Sequence, residues 1–330
     1  MTANIPSLAL PGSSARVPQI GFGLWKVDKA RCADLVVEAA RLGYRAFDSA
    51  CDYGNEEEVG DGLSRVFATG LRREDVFVTS KLWNTYHRKE YVRDACLKSL
   101  RDLKLQYLDL YLIHFPTISL RYVPFDQRYP PEWIHDPDAA DPKMELDHVP
   151  LQETWRCMED LVREGLVKAI GLCNVNVQTL VDVIAYSEIQ PSVVQVELHP
   201  TLTQEKLVRF VQQECGMLCT AFSPLGSGSY VELNMASAEE SVLNRAEVKQ
   251  IAASKSKTPA QVVLRWGVQR NTVVIPKSNQ VARLEENLNI FDFELSDSEM
   301  AVLSGLNANR RLNNPGEFCQ GMGCFIPIYD

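Results

Sequence analysis

Four polar residues of catalytic type lie at the ends of three apolar, strand-like runs. Asp48 and Tyr53 belong to Phe47-Asp48-Ser49-Ala50-Cys51-Asp52-Tyr53-Gly54-Asn55-Glu56. Lys81 closes Thr79-Ser80-Lys81, and His114 sits in Leu112-Ile113-His114-Phe115-Pro116. A carboxylate, a phenol, an amine and an imidazole are the components of proton transfer to a polar bond and of stabilising the charge that develops there. In a parallel α/β barrel the strand C-termini converge on one face, and that face carries the active site. These four residues, spread from position 48 to position 114, would then share a single pocket, which makes the chain an enzyme candidate.

The elements that must position these residues are legible in the same way. Short apolar β-type runs fall near Ile20-Leu24, Arg45-Asp48, Val76-Lys81, Tyr107-His114, Val167-Cys173, Ser192-Leu198, Met217-Phe222 and Thr272-Pro276. Eight such runs are what a closed (β/α)8 barrel requires. Amphipathic segments alternate with them, among them Ala30-Arg41, Glu90-Leu103 and Leu151-Glu164, the last ending at Gly165, a residue suited to a helix C-cap. With no linker or low-complexity tract, residues 1–330 read as a single α/β domain, a TIM barrel with three additions. Ser7 to Pro18 reads as a hairpin before the first barrel strand. Thr117 to Pro150 is a long loop after the fourth strand, and Asn307 to Asp330 is an irregular C-terminal tail. Long irregular segments of a compact domain are more often functional than idle, and the last two are expected over the catalytic face.

Composition bounds the partners. The 330 residues carry a net charge of -9, which argues against broad electrostatic binding to nucleic acid or anionic lipid. No apolar run approaches the roughly 18 residues that span a bilayer. Met1 to Ala15 lacks the charged and apolar segments of a signal peptide, so the default location is cytoplasmic. The nine cysteines lack zinc-site spacing and read as reduced thiols, and the five histidines include no His-x-His pair for a metal.

Several motifs in order resemble the aldo-keto reductase family: Gly21-Phe22-Gly23-Leu24-Trp25, the Asp48 to Glu56 block, Lys81-Leu82-Trp83-Asn84, Gln195-Val196-Glu197-Leu198-His199-Pro200 and Ile275-Pro276-Lys277-Ser278-Asn279. The resemblance runs from about Ser7 to the C-terminus. It implies a TIM-type barrel and NAD(P)H-dependent carbonyl reduction without a Rossmann domain or a metal. It also implies that Tyr53 is the acid, that Lys81 lowers the phenol's pKa, that Asp48 holds Lys81, and that His114 orients the carbonyl. For the cofactor it implies Asn174 and Gln195 at the nicotinamide carboxamide, with Ser223 and Leu225 along the pyrophosphate. Phe222 stands where a stacking Tyr is usual, and Cys173 where a Ser is usual. Lys277, Ser278, Asn279 and Arg283 suit the 2′-phosphate of NADPH, since charge-assisted bonds to phosphate are strong and directional. Glu286 and Asn287 match adenine-binding positions, and Glu232 matches a residue that accepts bonds from ribose hydroxyls. NADPH is therefore the preferred cofactor, with some NADH use.

Within the family the xylose (aldose) reductases are the nearest in pattern. His114-Phe115-Pro116, the insertion from Arg121 to Pro131 and the tail Arg311-Leu312-Asn313-Asn314-Pro315 through Tyr329 carry that likeness. By it Trp25, Asp52, His114 and Asn313 would contact an open-chain sugar. The tail departs at Asn314, where an Asp is usual, and over Gly316 to Gly321, where a tryptophan-rich stretch is usual. An aldose 6-phosphate reductase, using Arg121, Arg128, Arg310 or Arg311 for the phosphate, is therefore the alternative substrate reading. A non-catalytic cofactor-binding relative is a third. The resemblance leaves monomer and homodimer both open.

Overall fold

A computed structural model describes residues 5–329. Met1 to Asn4, the start of the segment read for a leader, and Asp330 lie outside the described residues. The strands Ser7–Ala9 (β1) and Arg16–Pro18 (β2) pair antiparallel, with Ser7 opposite Pro18, as the expected hairpin. Eight strands follow in one parallel sheet whose spatial order is the chain order. They are Phe22–Gly23 (β3), Ala46–Asp48 (β4), Phe77–Leu82 (β5), Leu110–Ile113 (β6), Ile170–Cys173 (β7), Val193–Glu197 (β8), Leu218–Phe222 (β9) and Val273–Val274 (β10). The first and last strands meet through a parallel bridge between Ile20 and Val274, reinforced by Gly21 N donating to Val274 O and Gly23 N to Pro276 O. The sheet closes into the barrel, and each of the eight apolar runs supplies one strand.

Helices return the chain between strands: Lys29–Leu42 (α1), Glu56–Ala68 (α2), Lys89–Asp102 (α3), Leu151–Arg163 (α4), Val177–Tyr186 (α5) and Glu205–Arg209 (α6). Ala246–Lys255 (α7) and Pro259–Gln269 (α8) precede β10, and Val281–Leu288 (α9) and Asp297–Ser304 (α10) follow it. Their ends obey local chemistry. Asp28 accepts from Ala30 N at 3.0 Å to start α1, and Gly43 stops it at φ +121°. Thr258 and Gln261 cap α8 reciprocally, with Pro259 at its first position.

Alternation along the strands decides what faces the barrel interior. Ala46, Phe77, Leu110, Leu112, Cys173 and Val193 join one interior cluster, which Leu10 and Val17 of the hairpin cover from below. Their strand neighbours Phe47, Val78, Tyr111, Ile113, Val194 and Val196 pack outward with the helices. The same parity places Asp48, Lys81, His114, Gln195 and Glu197 on the interior side at the C-terminal rim. Buried polar residues there interrupt strands that are otherwise apolar on both faces, as parallel barrel strands must be.

The insertion holds one isolated bridge, Leu120 to Leu146, and is fastened by side chains. Trp83 Nε1 donates to Glu132 O at 3.1 Å, and Tyr122 stacks on Tyr91 at 3.6 Å. The tail is less irregular than expected. Asn314 accepts from Gly316 N at 3.1 Å and Pro315 begins a short helix, Pro315–Phe318 (α11), an N-cap followed by proline.

Candidate active site

The Lys81 ammonium, with no solvent exposure, uses all three of its donors. It donates to Asp48 Oδ1 at 2.5 Å, to Ser49 O at 2.8 Å and to Tyr53 Oη at 3.0 Å. Asp48 Oδ2 in turn accepts from Gln195 Nε2 at 2.7 Å. The phenol oxygen accepts from Lys81, so its own proton is left for the cleft. Burial, the largest single influence, would depress Lys81, but the Asp48 charge and hydrogen bond together with Tyr53 and Cys173 outweigh it and hold the amine above its ordinary range. The expected fall in the Tyr53 pKa does not emerge. Burial pushes the phenol up, and the opposing pull of Lys81 only moderates this. Tyr53 is thus a neutral phenol at working pH, with a cation in contact to stabilise the phenolate once the proton leaves. His114 lies edge-on to Tyr53 at 6.0 Å and stacks on Phe115 at 5.1 Å. Burial, then Lys81, holds its pKa well below 6.5, so a neutral imidazole faces the cleft.

These groups open on a cavity of 1020 Å³ at the C-terminal face of the barrel. One arm of it has the residues expected for a dinucleotide. Asn174, Gln195, Phe222, Ser223 and Leu225 line the part near Tyr53, and Lys277, Ser278, Asn279 and Arg283 line the far end. Asn279 Oδ1 is buried without a partner, an acceptor aimed at something the protein itself does not supply. The cationic end suits a phosphate, so the residues present fit NADPH. Cys173 Sγ, where a hydroxyl was expected to be missed, takes a hydrogen bond from Asn174 Nδ2 at 3.2 Å.

Three expected cofactor residues do not line this cavity. Glu232 is 65% exposed and pairs with Lys26, whose hydrogen bond and charge lower its pKa. Glu286 accepts from the Thr258 hydroxyl at 2.6 Å, bracing α9 on α8, and Asn287 is buried beside it. Trp25, Asp52, His114 and Asn313, the residues expected at the sugar, line the same cavity. Sequence reasoning missed its aromatic wall. Trp133 reaches in from the insertion, edge-on to Trp83 at 4.8 Å, to Phe115 at 5.0 Å and to Phe318 of the tail at 5.3 Å. Trp133 is the only tryptophan of the insertion, which was the one available signal. Tyr230, against Trp25 at 5.5 Å, was likewise not foreseen. Nor was Tyr329, whose hydroxyl donates to Asn174 Oδ1 at 3.0 Å. Among the described residues no group of three His, Cys, Asp or Glu side chains is placed to hold a metal, and no helix is long and apolar enough to cross a membrane.

Known proteins resemble this chain over nearly its whole length. The profile of the Aldo/keto reductase family matches residues 19–308. A probable NAD(P)H-dependent D-xylose reductase xyl1 of Aspergillus clavatus is 44% identical over 96% of this chain and 97% of its own. The NAD(P)H-dependent D-xylose reductase xyl1 of Aspergillus niger is 43% identical, covering 95% of this chain and 96% of its own. Among solved structures, the aldose reductase of Schistosoma japonicum superposes with a TM-score of 0.81 at 38% identity, over 93% of this chain and 94% of that one. With the Asp48–Lys81–Tyr53 chain and His114 assembled at the barrel rim, these likenesses place the protein in the aldo/keto reductase family.

Proposed function

We propose that the chain reduces the aldehyde of an open-chain aldose of xylose size to the alditol, using NADPH in preference to NADH. The observation that carries this is the Lys81 ammonium saturated by Asp48, Ser49 and Tyr53, beside a cavity that also presents Asp52 and Asn313. The lining from Phe222 to Lys277 would hold NADPH, whose chemistry there would be to supply a hydride for the carbonyl carbon. The protein's own groups do the rest. His114 holds the carbonyl oxygen and stabilises the charge that gathers on it. Tyr53 gives its proton to that oxygen, and Lys81, kept charged by Asp48, stabilises the phenolate left behind. Asp52 and Asn313 accept and donate hydrogen bonds to sugar hydroxyls, and a site built from such groups rejects aldehydes that lack them. The naming of the fungal relatives as NAD(P)H-dependent D-xylose reductases supports the same reading.

The sugar-phosphate alternative needs a cation over the substrate arm. Arg121 pairs with Glu145 at 2.8 Å, and Arg310 with Glu240 at 2.7 Å. Arg128 donates to the carbonyls of Pro131, Ile134 and His135. Arg311 stacks over Tyr329 at 3.6 Å and donates to Gln204 Oε1. None lines the cavity, whose substrate arm instead carries Asp52 and Glu317. Free sugars are favoured. One buried apolar cluster from Ile20 to Cys319 supports a single catalytic unit, and nine free cysteines suit a reducing compartment such as the cytosol.

Replacing Tyr53 with Phe tests the assignment. Loss of a positioned general acid costs on the order of 10²–10⁴ in rate, so kcat/KM for xylose should fall by at least a hundredfold. NADPH binding, followed by quenching of protein fluorescence, should persist. A Tyr53→Phe enzyme with near wild-type turnover would remove Tyr53 as the donor.

A further inference from the structure

We propose that Glu197 sets the enzyme's selectivity for polyhydroxy aldehydes by positioning the tail that carries Asn313, an inference that rests on Asn313 reading the sugar. Glu197 stands two residues beyond Gln195 on β8, and its side chain has no solvent exposure. Oε1 accepts from Leu312 N at 2.9 Å and Oε2 from Asn313 N at 2.8 Å. His199 Nε2 lies 2.8 Å from Oε1, and its Nδ1 lies 2.8 Å from the Thr201 hydroxyl. With the imidazole proton on Nε2, both contacts are hydrogen bonds and Glu197 serves three donors. The segment after β8 docks the same stretch of tail. Thr201 O accepts from Ala308 N and Arg310 N, and Thr203 N donates to Asn307 Oδ1 at 3.1 Å. Gln204 ties the two together, donating to Glu197 O at 2.6 Å and accepting from Arg311 at 3.1 Å.

A carboxylate is the side chain this site requires. Its two oxygens accept all three protons, whereas a glutamine has one oxygen and would turn an N–H toward a backbone N–H. A buried donor without a partner is costly, so the tail would lift rather than leave Leu312 N or Asn313 N unpaired. Asn313 would move with it, as would Glu317 and Phe318, which line the same arm. The contacts of Lys81, Asp48 and Tyr53 do not pass through Glu197. Its effect is therefore on which aldehyde is recognised and not on how the proton is delivered.

The test compares kcat/KM for xylose with that for butanal, an aldehyde without hydroxyls, in wild type, Glu197→Gln, Asn313→Ala and the double variant. The expected result is a fall of at least tenfold in the xylose-to-butanal ratio for Glu197→Gln, carried by the xylose KM, with the NADPH dissociation constant within twofold of wild type. The double variant should lose little beyond Asn313→Ala alone, because both substitutions disable the same contact. A merely structural Glu197 would instead give additive losses on both aldehydes, which overturns the proposal. An unchanged ratio in Glu197→Gln overturns it too, while leaving the aldose reading intact. A wild-type enzyme with no preference for xylose, once kcat/KM is expressed on the open-chain form that carries the aldehyde, overturns the aldose reading itself. Amide hydrogen exchange on the wild-type enzyme guards against a variant that fails to fold. The amides of Leu312 and Asn313 should exchange as slowly as those of β8, and exchange as fast as in residues 232–241 would overturn the anchor.

Discussion

Asp52 shows how far one carboxyl can be shaped by its surroundings. Burial, then the charge of Glu132, raises its pKa to about 7, with Lys81 opposing. Near neutrality it is therefore passing from an acid to a carboxylate, and the carboxylate is the better acceptor for sugar hydroxyls. The xylose KM should fall as the pH rises from 6 to 8, and Asp52→Asn should flatten that dependence. Steady-state kinetics across this range checks both, and a KM independent of pH in the wild type would contradict them. The sign for stability is opposite. Unfolded Asp52 loses its proton near pH 4, but the folded protein holds it to about pH 7. The native state thus binds more protons over that window, and this group's contribution to stability falls as the pH rises through it. At about 1.4 kcal/mol per pKa unit the loss amounts to roughly 4 kcal/mol at most. Asp52→Asn should accordingly raise the melting temperature at pH 8 more than at pH 5. Asp48, Tyr53, Lys81 and His114 were legible in the sequence because their motifs combine residue type with strand-end position, whereas Asp52 was read only through the family resemblance. The net rise of the Tyr53 pKa was not, since it depends on how deeply the ring is buried, a tertiary quantity.

Among the elements, the strands and helices follow from local pattern, and the segments that shape substrate choice do not. Fully buried parallel strands read as continuous apolar runs, so all eight were visible. The paths of the insertion and tail are settled by contacts far apart in sequence, such as Trp133 meeting Trp83, Phe115 and Phe318, or Leu312 N meeting Glu197. The loop between β9 and α7 is a similar case. Lys26, which follows Trp25, donates to Ser229 O at 3.0 Å and pairs with Glu232, joining two walls of the cofactor arm. An ion pair whose Glu232 is 65% exposed adds little to folding, since solvent and salt screen it. Glu232→Ala should therefore leave the melting temperature within about 2 °C. NADPH dissociation, measured by stopped-flow fluorescence, should be several-fold faster, and the difference from wild type should shrink at high salt as screening weakens the pair. An unchanged release rate would show that the bridge does not retain the cofactor.

At the scale of the whole molecule, one cavity combines two electrostatic characters. Lys277 and Arg283 line the cofactor end, while Asp52 and Glu317 line the substrate end, on a chain of net charge -9. On the proposed function, this polarity would draw a phosphorylated cofactor to one arm and disfavour a phosphorylated substrate in the other. The barrel carries Asp48, Lys81 and His114 at its rim, and the insertion and tail, added to that barrel, supply Trp133, Asn313, Glu317 and Phe318 to the cavity wall. The most direct measurement is NADPH oxidation with xylose, glucose and glucose 6-phosphate at matched concentrations. Turnover of the free sugars, with xylose ahead and the phosphate at least tenfold poorer in kcat/KM, is the expected result. A tenfold or greater preference for glucose 6-phosphate, about 1.4 kcal/mol in transition-state binding, would contradict the reading of Asp52 and Asn313 as the residues that recognise a free aldose.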